Sequence, residues 1–357
     1  MGSVAVRDLV TRTDHEVVIG EFDVEGAEAL AASLGRDVAV IAVDVRDRGS
    51  LASAIRDVDI ILNATFMRWI PRVTRAAIDA GKHLVDLGAY YPETAEQLAM
   101  DDDAFAAGCR IVPGCGVAPG LTNVLARHGA DRFDDVHAVR IYSYITHPLT
   151  TSPGIVYTRF DASTGVSLVL EDGRLEERPS FGEEELVTFP APYGEQLVHL
   201  VPHPEPMTLS RSIGVRDVVF KVGYPEDDTS RLRSLLALGF DDAEPFAFGD
   251  TTVSPRDFAA AFVGRLGVGE APTANVKRVI VDGIADGRAM RLTYDFANEQ
   301  VGTSASSAIT GTVAAIAAAL VAAGGPFGVH PPEAAFDPIA FLDAVRLRGF
   351  EIGETRS

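Results

Sequence analysis

The chain has 357 residues, 47% hydrophobic and 23% charged, so it is a folded globular protein and, by its length, one of two domains rather than one core. Its 51 acidic residues against 31 basic ones give a formal charge of −20, which excludes nucleic acid and anionic membrane surfaces as partners because both would repel it. Only Cys109 and Cys115 are present, no Cys/His grouping has zinc-like spacing, and nothing reads as a secretory signal, so no metal is expected and the expected compartment is a reducing cytoplasm.

In chain order, Ser3–Val10 reads as a helix, His15–Glu21 as a strand, Asp23–Leu34 as a helix and Val38–Val43 as a strand. Ser50–Ile55 follows as a helix, Asp59–Asn63 as a strand, Pro71–Ala80 as a helix and His83–Asp86 as a strand. This alternation predicts βαβ units in a parallel, doubly wound sheet, with each apolar strand buried on both faces. A dinucleotide-binding domain of that kind opens with a strand, a G-x-G-x-x-G turn and a helix, and places an acidic residue about twenty positions further on. Gly2 stands where the third glycine would stand and Glu21 where the acid would stand. The first strand and first two glycines have no counterpart, so the expectation is a Rossmann-type fold whose opening strand lies roughly 10–15 residues upstream of Met1. A cloning remnant at Met1–Ser3, or a domain without a nucleotide site, are the alternatives. Glu21 would repel a 2′-phosphate, so NAD is preferred to NADP, although Arg46 and Arg48 follow the third strand and offer charge to a phosphate.

The segment Arg110–Asn123 (RIVPGCGVAPGLTN) runs from a short strand through Gly114, Gly116 and Gly120 into a helix bearing Leu121, Val124, Leu125 and His128. Such a turn has room for close approach of a ligand, and it is equally the form of an ordinary tight strand-to-helix connection. Ligands of parallel sheets sit outside the carboxyl ends of the strands. The cofactor-binding candidates are therefore Gly2, Glu21, Asp44, Asn63, Ala64, Thr65, Phe66, Asp86, Leu87, Gly88, Gly114, Cys115 and Gly116. His83 begins its strand, at the wrong end for chemistry, and reads as structural.

From about residue 126 the rhythm changes. Val136–Ser143, Ile155–Phe160, Val166–Leu170, Leu175–Glu177, Leu186–Phe189 and Val215–Gly223 read as strands, and Ser230–Leu238 and Pro255–Leu266 as helices. Val276–Val281 and Ala289–Phe296 form a hairpin across Asp286-Gly287, as do the strands around Asp172-Gly173. The prediction is a Rossmann-type domain over 1–125, a substrate and dimerisation domain with a mainly antiparallel sheet over 126–302, and C-terminal helices over 303–357 packed back on the first domain. Thr303–Phe327 has no charged residue and spans a bilayer's thickness, but its Ala, Ser, Thr and Gly content favours a buried helix.

The segments DIILNATF (59–66), AAIDAGKHLVDLG (76–88), GCGVAPGLTN (114–123), TLSRSI (208–213), LLALGF (235–240) and ITG…GVHPPE (309–333) resemble the saccharopine dehydrogenase-like oxidoreductases. Ala118-Pro119-Gly120, where saccharopine-forming reductases carry Asp-Pro-Gly, is similar to the L-lysine 6-dehydrogenases. His199–Pro206 and Gly223–Asp228 depart from the family. The resemblance implies a Rossmann domain, a substrate domain with a mixed sheet, homodimers, and oxidation of a primary amine carbon to an aldehyde with release of ammonia. Such a reaction requires an oriented carbon, a neutral amine and an anchor for the α-carboxylate. Asp86 is the first candidate for the amine and is equally a structural acceptor for the loop after it; Tyr90, beside Tyr91, begins that loop. Arg211 is the candidate carboxylate anchor of the second domain. Tyr157 and Arg159, read as alternate residues of a strand, share one face of the same cavity. A thiolate at Cys115 would make an acylating semialdehyde dehydrogenase instead, with no local base but His128. A saccharopine reductase and a non-catalytic dimeric relative are the remaining readings.

Overall fold

The computed structural model describes residues 1–88, 90–149, 152–266 and 272–357. The chain divides into two compact units. The first comprises Met1–Asp134, Thr208–Gly214 and Ser307–Phe350; the second comprises Asp135–Met207, Val215–Ser306 and Glu351–Ser357.

The first unit opens with α1 (Gly2–Arg12), β1 (Val18–Glu21), α2 (Val24–Ala32), β2 (Ala39–Ala42), α3 (Arg48–Ala54) and β3 (Ile60–Asn63). It continues with α4 (Ile70–Asp79), β4 (His83–Asp86), α5 (Tyr91–Leu98), α6 (Asp101–Ala106), β5 (Arg110–Val112) and α7 (Leu121–Ala130). Asp23 and Asp47 cap α2 and α3 by accepting first-turn N–H groups, as the sequence signals require. The chain enters the second unit at β6 (Asp135–Ile145), followed by α8 (Pro153–Ser163), β7 (Val166–Glu171), β8 (Arg174–Pro179), β9 (Glu185–Phe189) and β10 (Gly194–Leu200). Next come α9 (Glu205–Ser212), β11 (Asp217–Gly223), α10 (Glu226–Ala237), β12 (Phe246–Phe248), β13 (Thr251–Val253) and α11 (Pro255–Val263). The hairpin β14 (Thr273–Ala285) and β15 (Arg288–Gln300) precedes α12 (Ala305–Ala323), β16 (Gly328–Val329), α13 (Pro332–Ala335), α14 (Pro338–Arg346) and β17 (Ile352–Arg356).

The first unit is the α/β half. Its strands pair in parallel, in the order β16-β5-β4-β3, and β1 and β2 form a separate parallel pair. Among the described residues no ladder joins β1 to β3. Burial follows from this. Leu84 and Val85 of β4, with a strand on either side, are fully buried, while Ile60, Ile61 and Leu62 of β3 are half-buried and Gly20 and Glu21 of β1 are exposed. Burial on both faces, expected for every strand, holds for β4 and for Ile111 and Val112 of β5 but not for β1, β2 or β3. The core beneath the four-stranded sheet is built from Leu51, Ile55, Val73, Ala77, Ile78 and Ile111. The stretch after Tyr90, expected to begin a loop, forms two short helices, the first opening on Tyr91-Pro92, where proline suits an initial turn. By length and composition α12 passes for a membrane span, and 72% of it is buried in the protein, as in a core helix. Its small residues have a local reason, since a side chain on Gly311 would meet Met1 O at 2.5 Å and Val4 Cβ at 2.7 Å.

The second unit is a nine-stranded sheet with the main order β17-β15-β14-β6-β11-β10-β9. The β6–β11 ladder is parallel and the others are antiparallel, with β7 paired to β11 and β8. The fold is therefore a Rossmann-like parallel unit plus a mixed, mainly antiparallel α+β unit. One predicted strand is a helix: Ile155–Phe160 lies in α8, because Ser152 caps the helix by accepting the Ile155 N–H and Pro153 starts it. That cap outweighs the β-branched and aromatic run that reads as a strand.

Candidate active site

The glycine-rich connection from β5 to α7 is a closed, self-satisfied loop. Asp86, at the end of β4, is fully buried; its Oδ1 accepts the N–H groups of Gly88 and Gly114, both at 2.8 Å, and its Oδ2 accepts Gln97 Nε2 at 2.7 Å. Burial raises its pKa, opposed by those three hydrogen bonds. The carboxylate thus holds the loop after it, as the structural alternative for Asp86 has it. The glycines answer to the protein's own atoms. A Cβ on Gly88 or Gly114, both at positive φ, would strike Pro119 at 2.7 or 2.9 Å, one on Gly116 would strike Leu87 O at 2.7 Å, and one on Gly120 would overlap Gly116 O. Cys115 is fully buried, with its Sγ 3.4 Å from Val112 O, and burial together with the charges of Asp86 and Glu333 pushes its thiol well up. A buried thiol raised in this way is a poor source of thiolate, which counts against the nucleophile reading. His128 pairs with Arg132 at 2.7 Å, and His83 accepts the Arg110 N–H, as a structural histidine does.

The other family-like motifs brace this loop. Asn123 accepts the Gly120 N–H at 2.9 Å and donates to Glu333 Oε2 at 3.0 Å and Thr208 Oγ1 at 3.2 Å, and Ser212 Oγ donates to Glu333 Oε1 at 3.3 Å. TLSRSI and GVHPPE are therefore cross-braces of the first unit. Arg211 sits on the exposed last turn of α9, in the Thr208–Gly214 segment of the first unit, and not in the second domain as expected. Tyr90 is the half-buried residue before α5.

The carboxyl ends of β1 and β3 fit a nucleotide better. Gly2 begins α1 against β3, where a Cβ would lie 3.2 Å from Ala64 Cβ, so the first N–H groups of that helix, which have no intrahelical acceptor, open beside Asn63–Phe66. Asn63 is buried; its Oδ1 accepts Thr65 N–H and Oγ1, while its Nδ2 has no partner. A buried, unsatisfied donor at a strand end is a place for a ligand oxygen. Glu21 is exposed, with Oε1 held by the Phe22 N–H at 2.8 Å. Asp44, expected to meet the cofactor, is instead clamped by Arg46 through Nε at 2.8 Å and Nη2 at 2.8 Å, which lowers its pKa. The same guanidinium stands 4.9 Å over the Phe22 ring.

In the second unit Tyr157 and Arg159 do not share a face, because two residues apart on a helix point about 200° apart. Tyr157 donates to Asp257 Oδ1 at 2.7 Å; Arg159 is buried with its guanidinium 3.2 Å over the Tyr224 ring and its Nη2 3.3 Å from His147 O. Sequence reasoning missed the group nearby. Lys277, in the middle of β14, is 2% exposed, and its Nζ donates to Ser143 Oγ at 2.5 Å and Asn275 Oδ1 at 2.6 Å. The β14 register places it opposite Ser143 of β6 and Phe296 of β15. Glu205, fully buried, acts on it by charge and is held by His203 Nδ1 at 2.7 Å, whose ring stacks on Phe220 at 3.7 Å. Burial lowers Lys277 to about 7, against the pull of Glu205, and lowers buried His147 to about 3. Lysine 277 lies in no recognisable motif; its signal is a place on the same strand face as the buried Val279 and Val281.

The first unit is thus a parallel α/β unit with a buried, unsatisfied amide at a strand end, and the second a mixed sheet with a buried lysine. The saccharopine dehydrogenase NADP binding domain matches residues 1–112 and the saccharopine dehydrogenase C-terminal domain matches residues 116–350. The chain belongs to the saccharopine dehydrogenase family and is an NAD(P)-dependent oxidoreductase acting on CH–NH groups. An apo saccharopine dehydrogenase (L-Glu forming) from Saccharomyces cerevisiae shares the fold at a TM-score of 0.75 and 16% identity, over 100% of this chain and 98% of that one. An amine dehydrogenase from Mycobacterium smegmatis is similar at a TM-score of 0.46 and 12% identity, over 95% of each chain.

Proposed function

We propose that this protein oxidises the primary amine carbon of an amino acid with NAD, in the manner of an L-lysine 6-dehydrogenase, and works as a cytoplasmic homodimer. The observation that carries the cofactor choice is the pairing of an exposed carboxylate, with no cation on it among the described residues, with a neutralised guanidinium. Glu21 ends β1 exposed, while Arg46, the nearest cation after β2, is spent on Asp44. A 2′-phosphate would meet the negative charge without a compensating positive one, whereas a 2′-hydroxyl would donate to Glu21. Gly2 and the start of α1 would hold the pyrophosphate, and Asn63 Nδ2 would donate to the nucleotide. When bound, the nicotinamide accepts a hydride. The chain's own residues orient the amine carbon, keep water from it and take the amine's proton. The motif Ala118-Pro119-Gly120 supports the lysine-type substrate, and the saccharopine-type reaction is the second reading, supported by the family itself.

The test is direct. Melting curves are recorded with NAD and with NADP, followed by an assay of reduced cofactor with L-lysine, saccharopine and other amino acids. A larger rise in melting temperature with NAD, and turnover of L-lysine, are expected. Equal shifts with NADP would remove the role of Glu21, and turnover of saccharopine alone would replace the substrate. A Glu21→Ala protein is expected to lose about 1.5–3 kcal/mol of NAD binding, the strength of a hydrogen bond to a charged group.

A further inference from the structure

We infer that the strap of residues 180–184, which joins β8 to β9, is an acid-sensitive latch that closes over His199 only while that ring is neutral. His199 stands on β10, fully buried, and neither of its ring nitrogens has a hydrogen-bond partner among the described residues. A neutral imidazole carries one N–H donor and one bare acceptor, so phenylalanine would fill this place without leaving a polar atom unpaired. Packing alone does not account for the histidine. The strap lies against it: the Phe181 ring stands 4.4 Å from the imidazole, the Phe181 N–H donates to Leu200 O at 2.8 Å, and the Leu200 N–H donates to Gly182 O at 3.1 Å. Phe181 and Glu183 hold φ at +60° and +48°, where side chains other than glycine are strained. The other ties are the Ser180 N–H to Gly165 O at 3.0 Å, the Ser167–Ser180 hydroxyl pair at 2.7 Å, Arg178 to Glu183 at 3.5 Å, and the ion pair of Glu184 with Arg233 of α10.

The charged groups that face His199 are Glu184 from the strap, with Oε1 3.8 Å from Nδ1, Arg233 from α10, and Lys221 from β11, itself paired with Glu185 of β9. Only Glu184 favours an imidazolium, and Arg233 already holds it. Burial, helped by Arg233 and Lys221, therefore lowers the pKa of the closed ring. When the strap lifts, the ring meets water and regains an ordinary pKa of about 6.5. Below that pH the open form takes a proton from solvent and the closed form does not, so the opening equilibrium grows by up to about tenfold per pH unit. Above it neither form is protonated and the latch stays shut. Opening withdraws Phe181 from the apolar cluster of Leu149, Val156, Phe160 and Leu232. Every group involved belongs to the second unit, and the latch does not depend on which amine the enzyme oxidises.

The experiment follows amide hydrogen exchange of the full chain at about pH 7.5, 6.5 and 5.5, corrected for the pH dependence of exchange by unprotected amides. In the wild type, opening read at the Phe181 and Leu200 amides should rise by up to about tenfold from pH 7.5 to 5.5, most of it below 6.5. The amides of Val279 and Ile280, inside the ladders of β14, should show no such rise. His199→Phe keeps a ring under the strap and removes its titration, so strap opening should lose its pH dependence. If that variant fails to fold, the wild-type imidazole answers instead, and its NMR titration should run below the ordinary value of about 6.5. Strap opening that stays flat with pH in the wild type, an equal acid response in His199→Phe, or a His199 titration at or above 6.5 would each overturn the latch.

Discussion

The loop after β5 and the cluster around Lys277 look opposite in sequence and in structure. The loop carries three glycines, a cysteine, a proline and an adjoining carboxylate, all of which suggest chemistry, yet the carboxylate and the N–H groups of Gly114, Cys115, Gly116 and Gly120 are paired within the protein. Asp86 receives three hydrogen bonds, Asn123 accepts one and donates two, and the glycines make room for Pro119, Leu87 and Gly116. The lysine sits in a plain β-strand with a mismatch between its donors and their acceptors. The lesson is that residue types that suggest chemistry in a sequence can be wholly taken up in building the frame.

This contrast is broken most severely by changing the frame. Gly120→Ala places a methyl group on Gly116 O in a positive-φ position and should lower stability by roughly 3 kcal/mol or more, seen as a fall in urea midpoint or as loss of soluble protein. Asp86→Ala strands the N–H groups of Gly88 and Gly114 and the Gln97 amide, and should cost about 3 kcal/mol. If Asp86→Ala were instead stable, with kcat reduced and the melting temperature unchanged, the loop would belong to the chemistry and the contrast would fail. At the small end, Cys115→Ala removes one buried thiol and should lower stability by only about 1 kcal/mol, with activity unaltered. Inactivation of a well-folded Cys115→Ala protein would restore the thiol as nucleophile.

Much of the fold was legible because periodicity is local. Strand β4 was read to the residue and α2 to within one residue of its start, whereas α3 begins two residues before the predicted Ser50 because Asp47 caps it. The strand-like run Ile155–Phe160 misled because its helix is decided by two residues ahead of it, Ser152 and Pro153. Less of the site was legible. The places of Glu21, Gly2 and Asn63 at strand and helix ends are readable because they depend on local pattern alone. The fates of Asp86, Asp44 and Arg211 depend on which neighbours the fold brings to them, and Lys277 depends on Ser143, 134 residues away. The C-terminal segment Ser307–Phe350 groups with the first unit and Glu351–Ser357 with the second, a division that no linker composition marks.

The most direct test of the buried, titrating lysine needs no substrate: the difference in stability between Lys277→Met and the wild type, measured from pH 6 to pH 10. The folded-state pKa of Lys277 is lowered from 10.5 to about 7, so between those values the unfolded wild type binds more protons and its stability rises with pH. Its destabilising effect is present in full below pH 7 and is lost as pH approaches 10.5. Relative to the wild type, the methionine variant should therefore be at its most stable near pH 6 and lose that standing at up to about 1.4 kcal/mol per pH unit above neutrality. A difference that stays flat across the range would show that Lys277 keeps an ordinary ammonium, and the account of this site would be wrong.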